Sequence, residues 1–185
     1  MWEGLNAPTK IMARSVHPDG SGYAALRRNR YSAPGAEYFL TFNLQQRGDH
    51  LSLSTLYGSI RDEVQRLEKT GLWILRTMVV MPDHLHLLVI LGHDAGLAST
   101  VRLFKERLAP ALRRDGMSWQ DGYYDRKLRE NDDRVAVFLY IFLNPYRARL
   151  ITREAKWPSY HCHEKDWKWF GAMTAKDRPI PEWLA

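Results

Sequence analysis

Two apolar runs, 72–81 and 84–90, are separated by nothing more than Pro82-Asp83. So short a connection joins antiparallel neighbours, because parallel strands need a crossover of a dozen residues or more. The chain is therefore expected to fold around a β-hairpin. The second run reads His84-Leu85-His86-Leu87-Leu88-Val89-Ile90. Alternate side chains of a strand emerge on opposite faces. His84 and His86 would share one face, with Leu85, Leu87 and Val89 on the other. Two imidazoles side by side can hold a divalent metal, and such an ion can activate a phosphodiester. The pair supplies two ligands where a metal site usually has more, so two unrelated histidines on a polar strand face are the alternative.

The flanking sequence builds outward from this hairpin. Residues 37–44 are aromatic and β-branched and read as a first strand, opened by a turn at Pro34-Gly35. Ile60, Val64 and Leu67 mark a helix over 59–69, with Gly71 as its stop. A second helix is expected over 99–114, threatened with a kink by Pro110. Residues 119–125 read as a short fourth strand, and Asp132-Asp133 as the start of a helix ended by Pro145. The order β-α-β-β-α-β plus a further helix is α+β: a ferredoxin-like split βαβ with a central antiparallel sheet. Three regions are expected: an arm at 1–35, a main domain at 36–150, and a Trp-rich extension at 151–185 packed on one side of the sheet.

Tyr140 and Asn144, four residues apart on the last helix, would lie on one face, one turn apart. Because Asn144 precedes a proline, it is expected at the helix end. Were this face to lie over His84 and His86, a phenol oxygen could attack a metal-polarised phosphate and form a phosphotyrosine. Otherwise Tyr140 is a packing aromatic between Leu139 and Ile141.

The chain carries a formal charge of +6, which favours a polyanionic partner. Cations and flat rings alternate along it in the manner of single-stranded nucleic-acid binders. The candidates are Arg27, Arg28 and Arg30 in the arm, Arg102 and Lys105 on the second helix, Trp119, Tyr123 and Arg126 around the fourth strand, and Arg147 beyond the tyrosine. The single cysteine, Cys162, excludes an internal disulfide framework and fits a reducing compartment. No apolar run approaches the ~20 residues of a membrane helix, and no signal-peptide pattern opens the sequence, so a cytoplasmic location is expected.

Taken together, Met81-Pro82-Asp83-His84-Leu85-His86-Leu87-Leu88 and Tyr140-x-x-x-Asn144-Pro145 resemble the signature segments of the REP-associated tyrosine transposases. These are single-tyrosine HUH endonucleases, named for a histidine–hydrophobic–histidine motif. Supporting stretches follow in order: Arg28-x-Arg30, Pro34-Gly35-x-x-Tyr38-Phe39-x-Thr41-Phe42, Trp119-Gln120-x-Gly122-Tyr123-Tyr124-Asp125, and Trp157-Pro158-Ser159. The resemblance implies the HUH fold and a Mg²⁺- or Mn²⁺-dependent nuclease acting on single-stranded or hairpin DNA at palindromic repeats. It implies Tyr140 as the nucleophile taking the 5′ phosphate, His84 and His86 as metal ligands, and Asn144 where many relatives place a glutamine. A monomer or a homodimer is compatible with it. The chain departs from the pattern near Arg149, where relatives often have glycine. A neutral set of two histidines and an amide is expected to bind metal weakly without DNA, since phosphate and water must supply the remaining oxygens.

Two further readings stay open on the residues alone. A non-catalytic nucleic-acid-binding domain on a ferredoxin-like sheet would keep the basic, aromatic surface and use Tyr140 for packing. His161-Cys162-His163 could hold zinc, although it lacks the paired spacing of a structural site.

Overall fold

A computed structural model describes residues 32–48 and 50–184. The candidate residues Arg27, Arg28 and Arg30, and most of the expected arm, lie outside the described residues. The elements run β1 (Glu37–Asn43), α1 (His50–Lys69), β2 (Trp73–Val80), β3 (His84–Leu91), α2 (Leu97–Arg114), β4 (Tyr124–Lys127), α3 (Arg134–Arg147), β5 (Tyr160–Cys162) and α4 (Glu164–Phe170). The sheet order is β4-β1-β3-β2-β5, with each adjacent pair antiparallel. Strands β1 to β4 and the helices between them form the expected split βαβ, so the fold is α+β with a ferredoxin-like sheet. Strand β5, from the C-terminal region, is added against β2.

One face of the sheet is covered by α1 and α2. Phe42 and Trp73 both meet Phe104 of α2, at ring-centroid distances of 5.4 and 5.2 Å. All three are fully buried, each contributing roughly 1.5–3 kcal/mol of apolar transfer. Leu85, Leu87 and Val89 of β3 are buried in the same core, as the alternation requires. The opposite face carries α3, which lays Tyr140 against Phe39, 5.7 Å between centroids.

Three local expectations are corrected. Helix α1 begins at His50 rather than 59, because Leu53 and Leu56 extend the buried stripe of Ile60, Val64 and Leu67 by two turns. The fourth strand is Tyr124–Lys127 rather than 119–125; Trp119 makes only an isolated bridge to Leu44. The physical cause is packing: Trp119 and Tyr123 turn inward onto Phe42, each 5.9 Å from its ring. Pro110 lies inside α2, which runs on to Arg114. Helix α3 likewise does not stop at Pro145 but continues to Arg147, so Asn144 sits within the last turn rather than at the end. Pro145 has no N–H to give the Ile141 carbonyl, so the helix forgoes one bond there, and Pro145 itself is buried. Ala148 N–H donates to the Asn144 carbonyl, and Leu150 N–H donates to the Pro145 carbonyl.

Helix α3 starts where Asp132-Asp133 suggested: the Asp133 carboxylate accepts from Ala136 N–H at 3.1 Å. The hairpin end opposite the histidines is held by a close backbone approach. A Cβ on Gly92 would fall 1.8 Å from the Gly71 carbonyl oxygen, so no larger residue fits there.

Residues after 150 both border the sheet and cover it. The Trp157 indole N–H donates to the Val80 carbonyl at 3.0 Å, and Phe170 is fully buried between Phe138 and Phe142. Arg76 lies between Leu75 and Thr77, where the β2–β3 register shifts, and it gathers two carboxylates there. Its guanidinium clasps Asp166 of α4 at 2.6 and 2.5 Å and also pairs with Glu37 of β1. Arg134, at the start of α3, binds the other Glu37 oxygen at 2.6 Å. A buried ionic cluster thus ties the sheet, the tyrosine helix and the C-terminal region together.

Candidate metal and tyrosine site

The register of β1 on β3 places Thr41 opposite His86 and Asn43 opposite His84, on the face that α3 covers. The two imidazoles stand 4.6 Å apart. Each is held at Nδ1. His84 Nδ1 meets the Asp83 carboxylate at 2.6 Å, and His86 Nδ1 meets the Thr41 hydroxyl at 2.9 Å. His86 is 4% exposed, and its Nε2 is buried with no hydrogen-bond partner. Burial, reinforced by the neighbouring His84, pushes the His86 pKa well below the ordinary imidazole value. His86 is therefore neutral at pH 7 and presents an unprotonated nitrogen.

Tyr140 packs edge-on against His86, 5.2 Å between ring centroids. The phenol and the histidine pair converge within one chain. Burial raises the Tyr140 pKa above that of a free phenol; a side-chain hydrogen bond to Asn144 and the charge of Arg147 pull it back in part. Asn144 and Arg147 follow Tyr140 at four and seven residues, so all three share one stripe of α3.

A divalent cation fits this constellation. A buried nitrogen without a partner is costly unless something occupies it, and imidazole is a common metal ligand. His84, His86 and the Asn144 amide would provide two nitrogens and one oxygen. Among the described residues no group of three or more His, Cys, Asp or Glu could hold a metal. His163 Nδ1 instead accepts from Lys165 N–H at 3.2 Å, capping α4.

The remaining candidates fall in different places. Arg147 is exposed beside the tyrosine. Arg126 of β4 stands on the site face but is paired with Asp132 at 2.7 Å. Arg102 and Lys105 belong to α2, across the sheet from the histidines. Arg102 is exposed, 3.9 Å from Glu106. The Lys105 ammonium donates to the carbonyls of Gln120 and Gly122 at 2.7 and 2.8 Å, and the Trp119 indole donates to the Lys105 carbonyl. Lys105, Trp119 and Tyr123 thereby fasten the 119–123 loop to the core. A cavity of about 310 Å³ lined by Phe142, Tyr146, Tyr160 and Trp167, among others, shares none of the candidate residues.

Sequence reasoning gave Asp83 and Thr41 no part in holding the histidines, and read Tyr124 only as one of the rings near the basic clusters and a hydroxyl competing with that of Tyr140. Tyr124 is 46% exposed on β4, 6.3 Å from the Phe39 ring, and raises the Tyr140 pKa slightly. Asp83 and Thr41 are inside quoted motifs, but only the hairpin geometry and the strand register reveal which nitrogen each one holds.

No protein-family model matches the chain. A curated REP-associated tyrosine transposase from Escherichia coli (strain K12) is 26% identical over 135 residues, covering 72% of this chain and 81% of that protein. The solved structure of a REP-associated tyrosine transposase bound to a REP hairpin superposes with a TM-score of 0.60 at 25% identity. That match covers 71% of this chain and 79% of the other. The resemblance first carried by the histidine strand and the tyrosine helix is thus met independently: in sequence and in fold, this chain is similar to the REP-associated tyrosine transposases.

Proposed function

We propose that the chain is a transposase-type enzyme: a metal-dependent endonuclease that cuts and rejoins single-stranded DNA at palindromic hairpin repeats in the cytoplasm. The observation that carries this reading is the packing of the Tyr140 ring against a neutral His86 whose Nε2 lacks a partner. The likeness to proteins named tyrosine transposases, one of them bound to a REP hairpin, supports the substrate class.

In this reading His84, His86 and Asn144 would hold Mg²⁺ or Mn²⁺, which would supply positive charge at the scissile phosphate. The Tyr140 oxygen forms a bond to phosphorus, and the bond from phosphorus to the 3′ oxygen breaks. The phenol proton is lost to solvent, and the departing 3′ oxygen takes up a proton to become a hydroxyl. The strand downstream of the cut remains on the protein through its new 5′ phosphate as a phosphotyrosine, and attack by a 3′ hydroxyl reverses the step. An amide N–H from Asn144 favours the phenolate as it develops, and Arg147 adds charge complementary to phosphate.

Incubation with labelled hairpin oligonucleotides and Mn²⁺, followed by a denaturing gel, tests the reading. Wild type should yield a shifted covalent adduct. Tyr140→Phe should bind the same hairpins and yield none. If wild type forms no adduct across repeats and metals yet still binds, the chain is a nucleic-acid-binding domain rather than a nuclease.

A further inference from the structure

We propose that Thr41 is a positioning residue that fixes the ring tautomer of His86 and so keeps its Nε2 lone pair aimed at the cation. The inference rests on the metal reading above and concerns a residue outside the proposed ligand set.

The argument starts from the hydrogen count of a neutral imidazole: one nitrogen bears a proton and the other a lone pair. Which is which depends on the partner that the non-ligating nitrogen finds. His84 presents a simple case, because Asp83 is a carboxylate and can only accept; Nδ1 of His84 must donate, which leaves Nε2 free. His86 faces a hydroxyl, which can do either. If Thr41 donated to Nδ1, the proton would move to Nε2, a buried site where the N–H would find no acceptor. If Thr41 accepts, the lone pair falls on Nε2, where a cation can use it. Both histidines then offer the same nitrogen from adjacent positions on one face.

The fold explains the choice of a hydroxyl at this position. His86 is almost fully buried, whereas the Asp83 side chain is half exposed. A second carboxylate placed beside the buried ring would itself need desolvation. A threonine on β1, directly across the ladder from His86, supplies one oxygen with no charge and the branched shape a strand favours. Its hydroxyl cannot drift, because strand register sets the pairing and branching limits the rotamer.

Thr41→Val removes the oxygen while retaining the shape, and Thr41→Ser retains the oxygen. Long-range ¹⁵N–¹H spectra of the metal-free protein read the tautomer directly. Wild type and Thr41→Ser should show His86 protonated at Nδ1; Thr41→Val should show a mixture or the Nε2 form. Mn²⁺ titration with hairpin DNA present should give a dissociation constant raised roughly tenfold or more in Thr41→Val and near wild type in Thr41→Ser. Circular dichroism checks that the variants fold; the wild-type spectrum decides the point even if Thr41→Val does not. Finding His86 protonated at Nε2 in wild type, or unchanged Mn²⁺ affinity in a folded Thr41→Val, overturns the assignment. If wild type still forms the covalent adduct, the nuclease reading survives that result; a wild type that neither binds Mn²⁺ nor forms adduct ends both.

Discussion

Replacing Arg76 with methionine should unfold this protein more readily than almost any other single polar substitution. Arg76 is the shared cation of two buried carboxylates, Glu37 at 8% and Asp166 at 6% exposure. It grips Asp166 with two bonds, and its guanidinium lies 5.5 Å from the Phe138 ring centroid. Methionine restores much of the volume but none of the charge. Glu37 would retain Arg134 at 2.6 Å, whereas among the described residues Asp166 would keep only the Trp169 indole at 3.3 Å. Stranding a buried charge in this way costs 3–5 kcal/mol. Because Glu37 keeps a cation, the lower end applies, about 3 kcal/mol, or a fall in Tm of roughly 6–12 °C for a chain of this size. Urea unfolding followed by tryptophan fluorescence gives the loss, and adding Asp166→Asn to Arg76→Met should recover a large part of it. A loss below about 1 kcal/mol, the scale of an exposed pair, would refute the claim that this cluster is desolvated.

Two other outcomes follow from particular backbone and side-chain features. Arg149 adopts φ 55, at the position after the α3 cap where glycine is favoured; Arg149→Gly should raise stability by up to about 1 kcal/mol, read from the urea midpoint. Burial, aided by Asp166, pushes the Cys162 thiol up to about 12, so at pH 8 iodoacetamide should alkylate the native protein at least about a hundredfold more slowly than the urea-unfolded chain. The sign for stability follows. The unfolded thiol ionises near ~8.5 and the folded one does not, so this contribution is intact below that pH and lost as pH rises toward 12.

The parts of this molecule readable in the sequence are those governed by local rules. The alternation through His84 and His86 and the four-residue spacing of Tyr140 and Asn144 required only strand and helix periods. The Asp133 cap and the Gly71 stop are likewise written in adjacent residues. What escaped depends on which segments meet. Nothing local pairs Thr41 with His86 across 45 positions, or brings Asp166 to Arg76 across 90. The register shift at Arg76 turns it out of simple alternation, so its role could not be read from period alone. Nor could local rules show that Trp119 and Tyr123 pack against Phe42 or that Lys105 ties down the 119–123 loop. Pro145 misled for a different reason: the proline rule is a preference, and the buried flank of α3, Pro145 included, carries the helix through it at the loss of one backbone bond.

The outermost strands of the sheet are also its shortest, four residues in β4 and three in β5. Where β2 runs past β5, its border is closed by other groups: Leu75 N–H goes to the Glu68 carboxylate and the Arg76 carbonyl receives His163 N–H. Among the described residues the open sheet edges are those two short strands, which offer a stray strand little length to pair with. Growth of the sheet from copy to copy, the first step toward fibrillar aggregation, is thereby discouraged.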